Sequence, residues 1–194
     1  RIDLTQLRIG YLKAAFDDVS EDKENRDGVL ETLRRLGATL IPVSLPDRVP
    51  VSALTMILSA EAAAAFDDLT RTGKDDELVR QIENAWPNVF RAARFIPAVE
   101  YIQANRARYL LIQDMEEMMQ TIDLYVAPSF GASLLISNLT GHPCIAVPDG
   151  FNEKRSPTSI SFVGRLFDEA RLLAVARQYQ EATGFHLKHP VLLE

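Results

Sequence analysis

The side chains that could do chemistry are few and dispersed. Nucleophilic catalysis of the Ser-His-Asp kind needs a base beside the nucleophile. The histidines are His142, His186 and His189, and no serine stands in a G-x-S-x-G elbow. His186 and His189 flank Lys188 in a C-terminal segment that reads as solvated surface, and His142 reads as a turn residue before a strand. The single thiol, Cys144, sits between Pro143 and Ile145 with no Lys, Arg or helix N-terminus to lower its pKa, the setting of an inert core thiol. Acid/base work by paired carboxylates requires two groups converging across a cleft. Asp67-Asp68, Asp75-Asp76-Glu77 and Glu116-Glu117 instead place neighbours on diverging faces, and all three read as solvated. No two of the nine glycines are adjacent or one residue apart, so a phosphate-cradling loop or dinucleotide fingerprint is absent. One cysteine with three histidines argues against structural zinc and against a disulfide framework. No cofactor is expected.

The elements that would position these residues alternate between strand and helix. Arg8 to Leu12 reads as a strand. Ser20 reads as an N-cap, with Glu21 and Asp22 in the positive first turn of a helix carrying Val29, Leu30, Leu33 and Leu36 at helical spacing. Gly37 supplies its left-handed stop. Ala38 to Leu45 reads as a strand, with Pro42 arguing for an edge position or an irregular ladder, and strand-helix-strand implies a right-handed parallel unit. The alanine-rich stretch within Ser52 to Phe66 predicts a helix and Asp67 to Asp76 a polar loop around Gly73. Val89 to Thr121 is helical except at Pro97, with Tyr101, Ala104, Tyr109, Ile112, Met115 and Met119 as an apolar stripe. Strands follow at Ile122 to Ala127, Cys144 to Val147 and Ser159 to Val163, with a short helix or turn from Leu134 to Leu139. A closing helix runs from Phe167 to Thr183 with Gly184 as its stop.

A chain of 194 residues that is 47% hydrophobic can bury a sizeable core, and no linker or repeat divides it. With 27 acidic against 21 basic side chains and no dense basic stretch, nucleic acid is excluded as a direct partner. No apolar stretch approaches the roughly 20 residues that span a bilayer, so no membrane association is expected. The compartment, cytoplasmic or exported, is left open.

Several ordered motifs carry a family resemblance. They are Leu58-Ser59-Ala60-Glu61-Ala62, Tyr101-Ile102-Gln103-Ala104-Asn105-Arg106, Asp123-Leu124-Tyr125-Val126-Ala127-Pro128-Ser129, Asn138-Leu139-Thr140-Gly141-His142-Pro143, Pro148-Asp149-Gly150-Phe151, and Val163-Gly164-Arg165 through Asp168-Glu169. Together they resemble the C-terminal portion of the amidase signature family, whose members hydrolyse or transfer carboxamides with a Ser-Ser-Lys triad. The Gly/Ser-rich segment that carries that triad is nowhere in this sequence, and the first residue is Arg1 rather than Met.

The resemblance implies an α/β fold, a mixed, mostly parallel sheet covered by helices, with residues 1–194 forming the C-terminal part of a single amidase domain. It implies a catalytic triad upstream of this chain, no catalytic residue within it, and an isolated chain that is inactive. The chain would supply the substrate-pocket wall, with Ser129, Phe130, Asn138 and Leu139 as the substrate-binding candidates. A small-molecule amide and the N-terminal half of the same protein are the implied partners. Without that half, an apolar surface would be left exposed or buried by self-association. Amidotransferase A subunits, which release ammonia from glutamine, carry an acid a few positions before the Asn-Leu pair; here Ala127 to Gly141 has none, and an ungapped count puts Gly131 there. That favours an amidase with an apolar pocket over the glutamine-dependent aminoacyl-tRNA amidotransferase subunit, with a non-catalytic binding module as the third alternative.

Overall fold

The computed structural model describes residues 2–19 and 22–190. In chain order the elements are β1 (Arg8–Leu12), α1 (Lys13–Asp17), α2 (Lys23–Arg35), β2 (Thr39–Val43), α3 (Thr55–Ala65), α4 (Asp67–Arg71), α5 (Trp86–Ala93) and α6 (Ala98–Gln120), followed by β3 (Leu124–Pro128), α7 (Ala132–Thr140), β4 (Cys144–Phe151), β5 (Pro157–Gly164) and α8 (Glu169–Thr183). The chain divides into two compact units, residues 1–46 with 112–194, and residues 47–111.

The first unit is built on a five-stranded sheet of order β2-β1-β3-β5-β4. β1 pairs in parallel with both β2 and β3, and β5 runs antiparallel to β3 and to β4. Four strands therefore share one direction and β5 opposes them, the mixed sheet the family resemblance implies. β2 lies at the edge, where Pro42 does not interrupt a central ladder. Ile9, Leu124, Val126, Ile160 and Phe162 from the sheet pack with Val29 and Leu33 of α2 and with Val175 and Tyr179 of α8 in one buried cluster. Gly10 is required by packing: a Cβ there would stand 2.8 Å from the Ile122 side chain and 3.0 Å from that of Tyr125.

Both helices covering this cluster end at glycines with left-handed backbone, Gly37 after α2 and Gly184 after α8, as expected. The expected cap of α2 falls on Ser20 and Glu21, which lie outside the described residues; Asp22 precedes the helix without a side-chain cap. Around Asp123, which is 8% exposed, a charged knot ties the sheet to two helices. Its Oδ2 accepts the Arg8 backbone N–H at 2.8 Å, and its Oδ1 lies 3.2–3.3 Å from the guanidinium groups of Arg8, Arg165 and Arg171. Arg165 also donates to the carbonyls of Met119 and Ile122, satisfying acceptors at the end of α6.

In the second unit the segment read as a loop from Asp67 to Asp76 is largely helical. Asp67 and Asp68 occupy the first turn of α4, where the helix dipole favours them, and Asp67 pairs with Arg71 one turn on and with Arg94. Asp75 is not solvated either. It is 2% exposed and lies 2.6 Å from Arg91. Pro97 separates α5 from α6 as expected, and Pro87 opens α5. Trp86 and Phe66 both stack on Phe90, and with Leu58, Leu69 and Leu78 they line an apolar groove. Tyr109, placed in the buried stripe by periodicity, is instead 60% exposed. No helix among the described residues is long and apolar enough to cross a membrane.

Candidate functional site

In an open α/β sheet, the crevice at the carboxyl ends of the strands lies where successive connections leave in opposite directions. Here β1 stands between β2 and β3, so that point falls at the ends of these three strands. A cavity of about 330 Å³ occupies it, lined by Leu12 of β1, Val43 of β2, Pro128 of β3, Ala15 of α1, Phe130 and Ser133. Its wall is set by sequence: β3 is fully buried from Leu124 to Ala127, and Pro128 closes it. Gly131, at φ +116°, then turns the chain into α7 in a conformation that side-chain-bearing residues avoid. Phe130, at the tip of this turn, is 84% exposed.

On the other side of the same turn lies a polar cavity of about 260 Å³, bordered by Ser129, Phe130, Arg26, Asp149, Thr158 and Ser159. Ser129 is half-buried and its Oγ accepts from the Ser161 hydroxyl at 3.0 Å. Asp149 is buried, and its Oδ1 has no hydrogen-bond partner among the described residues. Burial raises the carboxyl pKa above the usual range, and the Thr158 hydroxyl offsets part of that rise. Ser129 and Phe130 thus stand between two cavities. Asn138 and Leu139 lie in the last turn of α7, exposed and half-buried respectively, and line neither.

Among the described residues the remaining reactive side chains form no nucleophile and base. His142 is 5% exposed, with Nδ1 2.8 Å from the Thr140 hydroxyl. That hydroxyl donates to the Ile136 carbonyl, so Nδ1 carries the proton, and Nε2 is an acceptor with no partner among the described residues. The ring serves the turn, and burial lowers its pKa. Cys144, read as a core thiol, is exposed, because it opens the edge strand β4 on its solvent side. Two features escape sequence reading. The buried Tyr125 hydroxyl lies 3.1 Å from Ser133, with its pKa pushed up to about 12, chiefly by burial. Asp149 is the other, hidden because a lone acid after a proline carries no spacing signal. Among the described residues no His, Cys, Asp and Glu side chains gather as a metal-binding group.

No family model matches the chain. Glutamyl-tRNA(Gln) amidotransferase A subunits are among its relatives: that of Burkholderia mallei (strain SAVP1) is 31% identical over 237 residues, covering 96% of this chain and 47% of the relative, and the same values hold for the Burkholderia thailandensis protein. Among solved structures, a bacterial aryl acylamidase of the amidase signature enzymes superposes with TM-score 0.74 at 16% identity, covering 95% of this chain and 45% of its own. Peptide amidase from Stenotrophomonas maltophilia gives 0.76 at 19%, covering 97% of this chain and 45% of its own. Over nearly its whole length the chain is thus similar to these amidotransferase A subunits and, in fold, to amidase signature enzymes. It spans less than half the length of the amidase signature relatives it matches. The 237 aligned positions exceed its 194 residues, so the relatives carry insertions within the matched stretch.

Proposed function

We propose that residues 1–194 form the C-terminal part of a single amidase domain and supply the substrate-side wall of an enzyme that hydrolyses a carboxamide C–N bond. The nucleophilic serine, its serine relay and the lysine base would come from sequence outside these residues. There a tetrahedral intermediate forms on the substrate carbonyl and its oxyanion is held by backbone N–H groups. The observation that carries this reading is the apolar cavity at the ends of β1, β2 and β3, bordered by Phe130. Phe130 and Ser129 are assigned to substrate contact. Asn138 and Leu139, at the far end of α7, complete the proposed set of substrate-binding residues.

A second reading, the glutamine-dependent amidotransferase subunit with partner chains, is favoured by the names of the curated relatives. Against it stands Gly131, at the position where an ungapped count puts the acid that amidotransferase A subunits carry. The purified 194-residue chain should hydrolyse neither benzamide-type amides nor glutamine. Turnover that stays with the chain through size separation from larger proteins overturns the proposal. When the chain is supplied with sequence carrying the triad, the amidase reading expects apolar amides to be cleaved in preference to glutamine. Glutamine-dependent ammonia release would favour the amidotransferase instead.

A further inference from the structure

We propose that the polar cavity beside Ser129 binds a primary ammonium group, with the Asp149 carboxylate as its partner. Asp149 is 3% exposed, lines this cavity, and leaves Oδ1 without a hydrogen bond among the described residues. A carboxylate so placed is costly unless a cation or donor meets it. The Thr158 hydroxyl, the Asp149 backbone N–H and the charge of Arg26 meet it in part. Arg26 lines the cavity too, but its Nη1 and Nη2 donate to the carbonyls of Ala15 (2.6 Å) and Asp18 (3.1 Å). Asp22, the second acid of the cavity, likewise has an Oδ1 with no partner among the described residues. Burial therefore biases Asp149 toward its neutral form, and a bound cation would reverse that bias.

The acceptors select the ligand. Asp149, Asp22 and the Ser129 oxygen border one space of about 260 Å³, and a primary ammonium presents three N–H donors to them. Asn152 Oδ1 is already engaged by the Ser156 N–H. A divalent metal has no cluster of ligands among the described residues. Pro128 and Phe130 border this cavity and the apolar one, so a ligand with an apolar body can reach across the turn. Other charged or titratable groups around Asp149 are Tyr179 of α8 and, on the groove at its other side, Glu24, Asp27, Glu31 and Arg35 of α2.

The inference rests on the amidase reading only where it names the ligand as the amine-bearing end of an amide substrate. The test reads binding by the chain without turnover, so its failure is separate from a failure of that reading. The 194-residue chain is titrated with n-butylammonium chloride and, at equal ionic strength, with tetramethylammonium chloride, and backbone amides are followed by NMR. Saturable shifts at Ser129, Asn152, Thr158 and Ser159 are expected for n-butylammonium, with tetramethylammonium at least tenfold weaker. Asp149→Asn should weaken n-butylammonium at least tenfold, whereas Asp27→Asn should change it less than twofold. Should Asp149→Asn fail to fold, the unsubstituted chain suffices: n-butylammonium affinity must fall as pH drops from 7 toward 4, while that of n-butanol stays level. Equal response to both cations, no response to either, full affinity in Asp149→Asn, or pH-independent cation affinity overturns the proposal.

Discussion

Replacing Asp123 by alanine tests whether the knot of arginines holds the sheet to α6 and α8. The substitution removes the acceptor of the Arg8 backbone N–H and the shared partner of the Arg8, Arg165 and Arg171 guanidiniums. A hydrogen bond to a charged group contributes about 1.5–3 kcal/mol. Severing a fully buried ion pair costs about 3–5 kcal/mol, but these guanidiniums are 33–47% exposed and can turn to water. Arg165 also keeps its carbonyl acceptors. The loss should therefore be about 2–4 kcal/mol, which in a chain of this size lowers Tm by roughly 5–12 °C. Urea denaturation followed by circular dichroism reads it directly. The pH dependence supplies an independent check. Burial alone would raise the Asp123 pKa, but the Arg8 N–H and the guanidiniums outweigh it and hold the carboxyl below its ordinary value. The unfolded chain then binds the proton first as pH falls, so the stabilisation is complete above about pH 4 to 5 and disappears as pH drops through the folded pKa. A loss under about 0.5 kcal/mol at pH 7, or a difference between the two chains that persists unchanged into acid, would refute the reasoning.

Three further outcomes follow from the packing and the buried ring. Gly10→Ala puts a methyl group against Ile122 and Tyr125 in the middle of the sheet and should cost about 1–3 kcal/mol, read as a lower urea midpoint at unchanged slope. His142 is held neutral by burial, so stability should decline as pH falls from about 6.5 toward the lower folded pKa, where the unfolded chain alone takes up the proton; His142→Asn should flatten that slope in thermal melts. Cys144 should react with a thiol reagent at one equivalent per chain without denaturant, and protection until unfolding would show that the start of β4 is covered.

The parts legible in the sequence were those governed by local periodicity and by backbone chemistry. The spacing of Val29, Leu30 and Leu33 and the stop at Gly37 foretold α2, and Pro42 foretold an edge strand. Residues decided by distant partners were not legible. Asp75 lies in an acidic run that looks solvated, and only Arg91, sixteen positions on, makes its burial tolerable. Cys144 sits among apolar neighbours, yet its strand is at the sheet edge, which no local pattern reveals. In the candidate site, Ser129 and Phe130 came from the family resemblance; Phe130 borders both cavities and Ser129 the polar one. Asp149 was passed over because its significance arises from α2 closing over the β4–β5 hairpin, a pairing absent from any window of sequence.

The placement of β1 between β2 and β3 also has a temporal side. The Arg8 N–H meets Asp123 across 115 positions, and residues 47–111, a compact unit of their own, lie within that span. At about 5–20 residues per second, a ribosome needs roughly 6 to 23 seconds to deliver the second neighbour of β1 after β1 itself. During that interval, of its two neighbours in this sheet, β1 has β2 alone, and the edge that β3 later takes stays unpaired by it. Assembly of the sheet is thus paced by synthesis rather than by diffusion, and the nascent chain is most prone to aggregate between the emergence of β2 and that of β3.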